Sequence, residues 1–292
     1  MKRDIHAEIT NTIIEAIENG TAPWCKEWDG AMGFPFPRRV TGENYQGINV
    51  LLLWIAAEAK GYTAPTWMTF NQAKKMGGQV RKGEKGTGIV FFSTFEKESE
   101  ENDNVTRIPF LKRYTVFNVQ QIDGLPAEFQ PSQPASVAGG EQAIEDLEAF
   151  FAYTGAKIEN GPEIAPHWNP MNDTIGMPPV EQFSSAHAYY GTLAHELIHW
   201  TGHTPRLDRD MKYNTKEGRA FEELIAEIGS CFLCGHIGAQ PNIDNSAAYV
   251  ESWLKALRND KRFIFRAATQ AQRASDYALQ KGRPLLTVIA AE

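Results

Sequence analysis

The sequence predicts an α+β protein in two domains, and three observations carry that reading. Apolar residues recur at helical spacing in most segments, and two long runs in the first half read as strands. Between the halves, Phe129 to Gln142 (FQPSQPASVAGGEQ) is rich in Pro, Ser, Gly and Ala and has no pattern that could bury a face. Residues 1–128 are expected to form an α+β domain with a small antiparallel sheet, 129–142 a linker, and 143–292 a mainly helical domain with a small sheet in front of its central helix. A chain of 292 residues is longer than one core usually needs, which fits two domains.

In order, Ile9, Ile13, Ile14 and Ile17 mark a first helix that stops at Asn19-Gly20, and Ile48–Ala59 and Thr69–Met76 read as further helices. GIVFFSTF and RIPFLKRYTVFNVQQI are strands, joined as a hairpin by the acidic loop EKESEENDN. After the linker, EQAIEDLEAFFAYTG is an amphipathic helix ending at Gly155. APHWNPMNDTIGMPP then offers two short extended pieces around a turn at Asn169–Asp173. Helices follow from about Ser185 to Thr201, Phe221 to Cys234, Ala247 to Arg258 and Phe263 to Gln280. There is no internal repeat.

The formal net charge of −7 excludes a uniformly basic nucleic-acid binder, but the charge is uneven. Lys60 to Phe95 holds six cations against Glu84 alone, a local +5, so an anionic partner should meet the N-terminal half. No apolar run is long enough to span a bilayer, and the start lacks the apolar core of a secretory signal. A soluble, cytoplasmic protein without a membrane partner is expected. Cys25, Cys231 and Cys234 imply no disulfide framework; the C-x-x-C of EIGSCFLCGHIG has helical periodicity and reads as buried, inert thiols.

The chemistry concentrates in GTLAHELIHWTGH. On a helix His195 and His199 share a face, four residues apart, and can turn ring nitrogens toward one ion. Glu196 can then reach a metal-bound water and accept its proton, as the catalytic base. Downstream, FEELIAEIG supplies Glu223 as third ligand and Glu227, four residues on, to hold a histidine ring, that of His195: the glutamate-zincin pattern. His203 is the competing third ligand. It follows Gly202, which is expected to end the helix and turn His203 off the shared face, and the metzincin spacing would put a histidine where Pro205 stands. The set suits zinc, with manganese, cobalt or nickel as substitutes. Asp173–Pro179 (DTIGMPP) is a candidate edge strand for an extended peptide, and Tyr189, Tyr190 or Tyr213 could polarise a carbonyl.

In the first half, aromatic and basic residues interleave in APWCKEW, PRRVTGENYQGIN and PTWMTFNQAKKMGGQVRKGEKGTG. Such mixtures hold single strands, because exposed bases stack on rings while cations follow the phosphates. The candidate contacts are Arg38, Arg39, Tyr45, Asn49, Trp67, Lys74, Lys75, Arg81, Lys82 and Lys85. No P-loop spacing is present.

These motifs, with NYQGINVLLLW, YTVFNVQQIDGLP and YVESWLKALRNDKRFIFRAATQAQRASDYAL, make the chain similar along nearly its whole length to the ArdC-type antirestriction proteins of conjugative plasmids. The resemblance implies an N-terminal single-stranded-DNA-binding domain, a C-terminal zincin-like metallopeptidase domain, and protection of incoming plasmid DNA from host restriction. A host restriction component or another protein is then a possible substrate. The alternative is a DNA-binding, restriction-blocking protein whose metal is structural and whose hydrolytic site is vestigial.

Overall fold

The computed structural model describes residues 4–22, 24, 36–99, 102–129, 141–212, 214–241 and 247–282, so Cys25, Trp28, most of the expected linker and Tyr213 lie outside the described residues. Helix α1 (Ile5–Glu18) begins where the Asp4 carboxylate accepts the Ala7 amide at 3.1 Å. β1 (Arg38–Arg39), α2 (Ile48–Lys60) and β2 (Thr66–Thr69) form a crossover, so β1 lies parallel to β2. α3 (Phe70–Lys75) starts in a capping box of Thr69 and Gln72. β3 (Gln79–Val80) pairs with β6 (Ile122–Asp123), and between them run the long strands β4 (Thr87–Ser99) and β5 (Asn102–Asn118).

The main sheet has the order β1-β2-β5-β4. Its β2–β5 and β5–β4 pairings are antiparallel as expected, and the parallel edge strand β1 is the departure. The acidic stretch expected as a loop is almost all strand. β4 continues to Ser99 and β5 resumes at Asn102, with Glu96 in register with Arg107.

In the second half, α4 (Glu141–Tyr153) leads to β7 (Lys157–Asn160), β8 (His167–Asn169) and β9 (Thr174–Met177). The expected hairpin is β8–β9, but the sheet order is β7-β9-β8, with β7 parallel to β9. β9 is therefore central and buried, which overturns the expectation that Asp173–Pro179 offers a free edge; the unpaired edges belong to β7 and β8. Then come α5 (Ala186–Thr201), α6 (Lys216–Ile237), α7 (Ala247–Asn259) and α8 (Phe263–Lys281). α8 buries Ala267, Ala268, Ala271, Ala274 and Ala278, small side chains that allow close approach to α6.

The apolar core does not divide at the expected linker. α2 buries Val50, Leu51, Leu52, Leu53 and Trp54 in succession, as only a helix covered on several sides can. Phe36 and Trp54 from the first half meet Phe232 of α6 with ring centroids 6.1 Å and 5.7 Å away. Gln272 of α8 accepts the Gly47 amide at 2.9 Å, and Thr10 of α1 donates to the Lys261 carbonyl at 2.8 Å. The expectation that few contacts cross between the halves is corrected by this continuous core. A smaller cluster of Met68, Ala73, Val80, Val119 and Ile122 lies under α3. Among the described residues no helix is long and apolar enough to cross a membrane.

Candidate functional site

The site forms where α5 crosses α6. Ser185 caps α5 by accepting the Ala188 amide at 3.1 Å, and the helix runs through both histidines to Thr201. Thr215 caps α6, which presents Glu222, Glu223 and Glu227. The helices approach closely because residue 229 is glycine: a Cβ there would lie 2.9 Å from Ile198 Cγ2.

At this crossing His195, His199 and Glu223 each aim one donor atom at a common point, and those atoms lie within 4.8 Å of one another. The two Nε2 atoms are 3.2 Å apart and sit 3.5 Å and 3.7 Å from Glu223 Oε2. Their outward nitrogens face carboxylates, His195 Nδ1 lying 3.6 Å from Glu227 and His199 Nδ1 3.1 Å from Glu222. With Nδ1 so occupied, each Nε2 is turned inward as an ion requires. Glu196 is buried beside them.

Glu222 was not among the residues singled out from the sequence. Its carboxylate is gripped by Arg209, at 2.5 Å through one guanidinium nitrogen and 3.2 Å through Nε. Arg209 also donates to the Ile198 carbonyl at 2.7 Å and to Thr201 Oγ1 at 2.8 Å, which ties it to the end of α5. Gly202 makes room for this clamp, since a Cβ there would lie 2.7 Å from the guanidinium carbon and closer still to Met211. Gly202 ends α5 as expected, with an ordinary φ of −77°, so the glycine is needed there for close approach.

The electrostatics match a cation site. Burial alone would lower the His199 pKa, but contacts with Glu222 and Glu223 override it and push it up to about 10. Burial likewise opposes the charged His195, and Glu223 and Glu227 reverse the effect and raise it. Burial would raise the Glu223 carboxyl, yet the two histidines hold it well below the usual carboxylate range. Glu222 is also lowered, His199 and Arg209 outweighing its burial. Four carboxylates crowd two imidazoles and a single guanidinium, an arrangement that favours added positive charge.

His203 points elsewhere. Its Nδ1 lies 3.6 Å from Asp173, and its ring meets Trp168 edge-on. Tyr189 receives a hydrogen bond from Asn160, Tyr190 stacks on Phe151, and burial pushes the Tyr190 hydroxyl up to about 12, so both belong to the core. Cys231 and Cys234 are buried free thiols, and burial pushes the Cys234 thiol up.

The nucleic-acid candidates divide. Trp67 is only 2% exposed and Tyr45 is buried, so neither presents a ring for stacking. Both amide groups of Asn49 are spent on the Val90 backbone at 2.8 Å, fixing β4 to α2. Arg81 is tied to Glu84, Asp123 and the Gln120 carbonyl. Trp67, Tyr45 and Asn49 are corrected to frame positions, and Arg81 keeps an exposed side chain within its ion pairs. Lys74, Lys75, Lys82 and Lys85 are exposed, as are Arg38, which reaches Thr66, and Arg39, which pairs with Glu43.

Two family models match: the N-terminal domain of anti-restriction factor ArdC over residues 3–117, and a zincin-like metallopeptidase over residues 145–270. The crystal structure of the antirestriction ArdC protein from plasmid R388, metal-free, superposes with a TM-score of 0.84 at 48% identity, covering 97% of this chain and 99% of that one. The chain belongs to the ArdC antirestriction family. The Mn(II)-bound structure of the R388 ArdC protein superposes with a TM-score of 0.81, covering 96% of this chain and 99% of that one at the same identity. A DNA primase TraC of Escherichia coli is 39% identical over 96% of this chain, which spans 27% of that primase's length.

Proposed function

We propose that the chain binds single-stranded DNA with its N-terminal half, carries a glutamate-zincin peptidase site in its C-terminal half, and so protects incoming conjugative DNA from host restriction. The observation that supports the metal site best is the convergence of three donor atoms from His195, His199 and Glu223, each histidine backed by a carboxylate. A divalent ion held there supplies Lewis-acid polarisation of a water and a peptide carbonyl. Glu196 accepts the proton of the attacking water and returns it to the leaving amine. Glu227 and Glu222 keep the imidazoles oriented, and Arg209 keeps Glu222 oriented. The mixed nitrogen and oxygen donors suit zinc, and manganese, present in the R388 relative, fits the same set.

The DNA reading is supported by the exposed Lys74, Lys75, Lys82 and Lys85 beside Arg38 and Arg39, by the ArdC N-terminal family model, and by a relative named as a DNA primase. The expected division at 129–142 belongs to this proposal as a division of tasks.

Metal analysis of protein purified without chelator or added metal is expected to find one divalent ion per chain. Glu223→Ala should lose it and His203→Ala should keep it; the reverse would move the third ligand to His203. Glu196→Ala should keep the metal and abolish hydrolysis. If that variant protects incoming DNA in a conjugation assay as well as the parent, the site is structural and the peptidase reading fails.

A further inference from the structure

Stacking of unpaired bases needs exposed rings, and among the described residues the tryptophans and tyrosine of the basic stretches do not supply them, since Trp24, Trp67 and Tyr45 are buried. Among the described residues the large exposed aromatics are Phe70, Phe91, Phe92, Tyr114 and Tyr153. Two form a pair. Phe91 on β4 and Tyr114 on β5 are 49% and 45% exposed, with ring centroids 6.2 Å apart and planes nearly perpendicular. The register explains why: Ile89 lies opposite Tyr114 and Phe91 opposite Lys112, so Phe91, Lys112 and Tyr114 share one face of the hairpin. Phe92 alternates to the other face, where its ring meets Phe265 of α8. Phe70 lies against Phe117, and Tyr153 is on α4 in the other half.

We propose that the Phe91–Lys112–Tyr114 face of the β4–β5 hairpin is a stacking platform for single-stranded nucleic acid, its two rings each taking a base while Lys112 lies along the phosphates. The proposal rests on the single-stranded DNA reading above and names its contact surface. Charge complementarity selects the occupant. Over Thr87–Ser93 and Leu111–Phe117 the paired strands carry no acid; Lys112 shares the face of the two rings, and Arg113 lies on the other face, where it pairs with Glu8 of α1 at 2.9 Å, whereas beyond Phe95 the sequence of the same hairpin turns acidic in EKESEEND. An anionic strand is therefore favoured over the half of the hairpin near the body and repelled from its far end. Two exposed aromatics on adjacent strands of a four-stranded sheet, with a cation beside them on the same face, are the elements that single-strand-binding sheets use.

The test is a titration of a labelled thymidine 30-mer, single-stranded and as duplex, against the full chain and its variants. Phe91→Leu with Tyr114→Leu keeps apolar bulk on the strands while removing both π-faces, and a matching alanine pair checks the result. The leucine pair should weaken single-strand binding roughly tenfold or more while leaving the salt slope and the melting temperature near the parent's. Lys112→Ala should flatten the salt slope instead. Tyr153→Ala should change nothing. If the parent binds single strands and the leucine pair binds them equally well, or if Phe70→Ala carries the loss, the platform is overturned and the DNA reading stands. An equal loss on duplex would show that the rings do not stack bases, which also overturns it. If the parent does not bind single strands at all, the DNA reading falls and the platform with it.

Discussion

The His199 imidazole is held at both nitrogens by acids that do different work: Glu223 shares the point its Nε2 faces, and Glu222 holds its Nδ1. Glu222→Gln should keep the shape of this contact but weaken both the ring's orientation and its basicity. The expected outcome is a metal affinity lower by about 10- to 100-fold, read by metal titration of the full chain. Arg209→Met should act mainly on stability, because it strands the Glu222 carboxylate in the interior; removing one member of a buried pair costs about 3–5 kcal/mol, measurable by denaturant unfolding. An unchanged affinity in Glu222→Gln would mean that the helix frame alone aims His199. The placement of His195, Glu196, His199, Glu223 and Glu227 around one point was legible in the sequence because it depends on spacing along single helices. Glu222 and Arg209 were not, because their partnership exists only once α5 and α6 cross and the chain after Gly202 folds back over them. One signal was present: Glu222, Ile225, Ala226 and Gly229 form a single stripe of α6, so Glu222 belongs to the face that the helix buries.

The α5–α6 crossing sets the distance between the histidines and the glutamates. Gly229→Ala puts a methyl against Ile198 Cγ2, and in a packed core such an insertion costs about 1–3 kcal/mol. It should also spread the donor atoms and lower metal affinity. Ile198→Ala alone destabilises by leaving a cavity, but combined with Gly229→Ala the loss should be smaller than the sum of the single losses, because the new methyl enters the vacated space. A double-mutant cycle of unfolding free energies checks this; strict additivity would place the close approach elsewhere. Helix content was legible because α5 through α8 carry long apolar periods. β7 was not, since KIEN has no alternation to distinguish it from a loop, and missing it turned β9 from the central strand it is into an apparent edge. Likewise β1 is two residues long, and only the α2 crossover fixes it parallel to β2.

For the molecule as a whole, the composition of residues 129–142 suggested independent halves, and the packing joins them. The periodicity of α1 and the continuous apolar run of α2 showed that these helices must be buried; nothing in either specified that α6, α7 and α8 would bury them. A fragment ending near residue 129 would expose Phe36 and Trp54 where Phe232 of α6 now meets them and would lose the Gln272 contact of α8 at Gly47, so it is expected to lack an independent fold. The full chain should therefore unfold in a single calorimetric transition. A divalent metal that binds only the folded state should raise that transition as a unit, by about 2.7 kcal/mol of stability at a free concentration 100 times its dissociation constant. Hydrogen exchange gives the local test. Amides in α2, whose own sequence holds no metal ligand, should gain protection on adding Mn2+ together with amides in α6. If α2 opens at lower free energy and ignores the metal, the halves unfold separately and the shared core does not couple them. If α2 follows α6, occupancy of the metal site stabilises the sheet that presents the proposed DNA surface, because Asn49 of α2 holds β4 through the Val90 backbone.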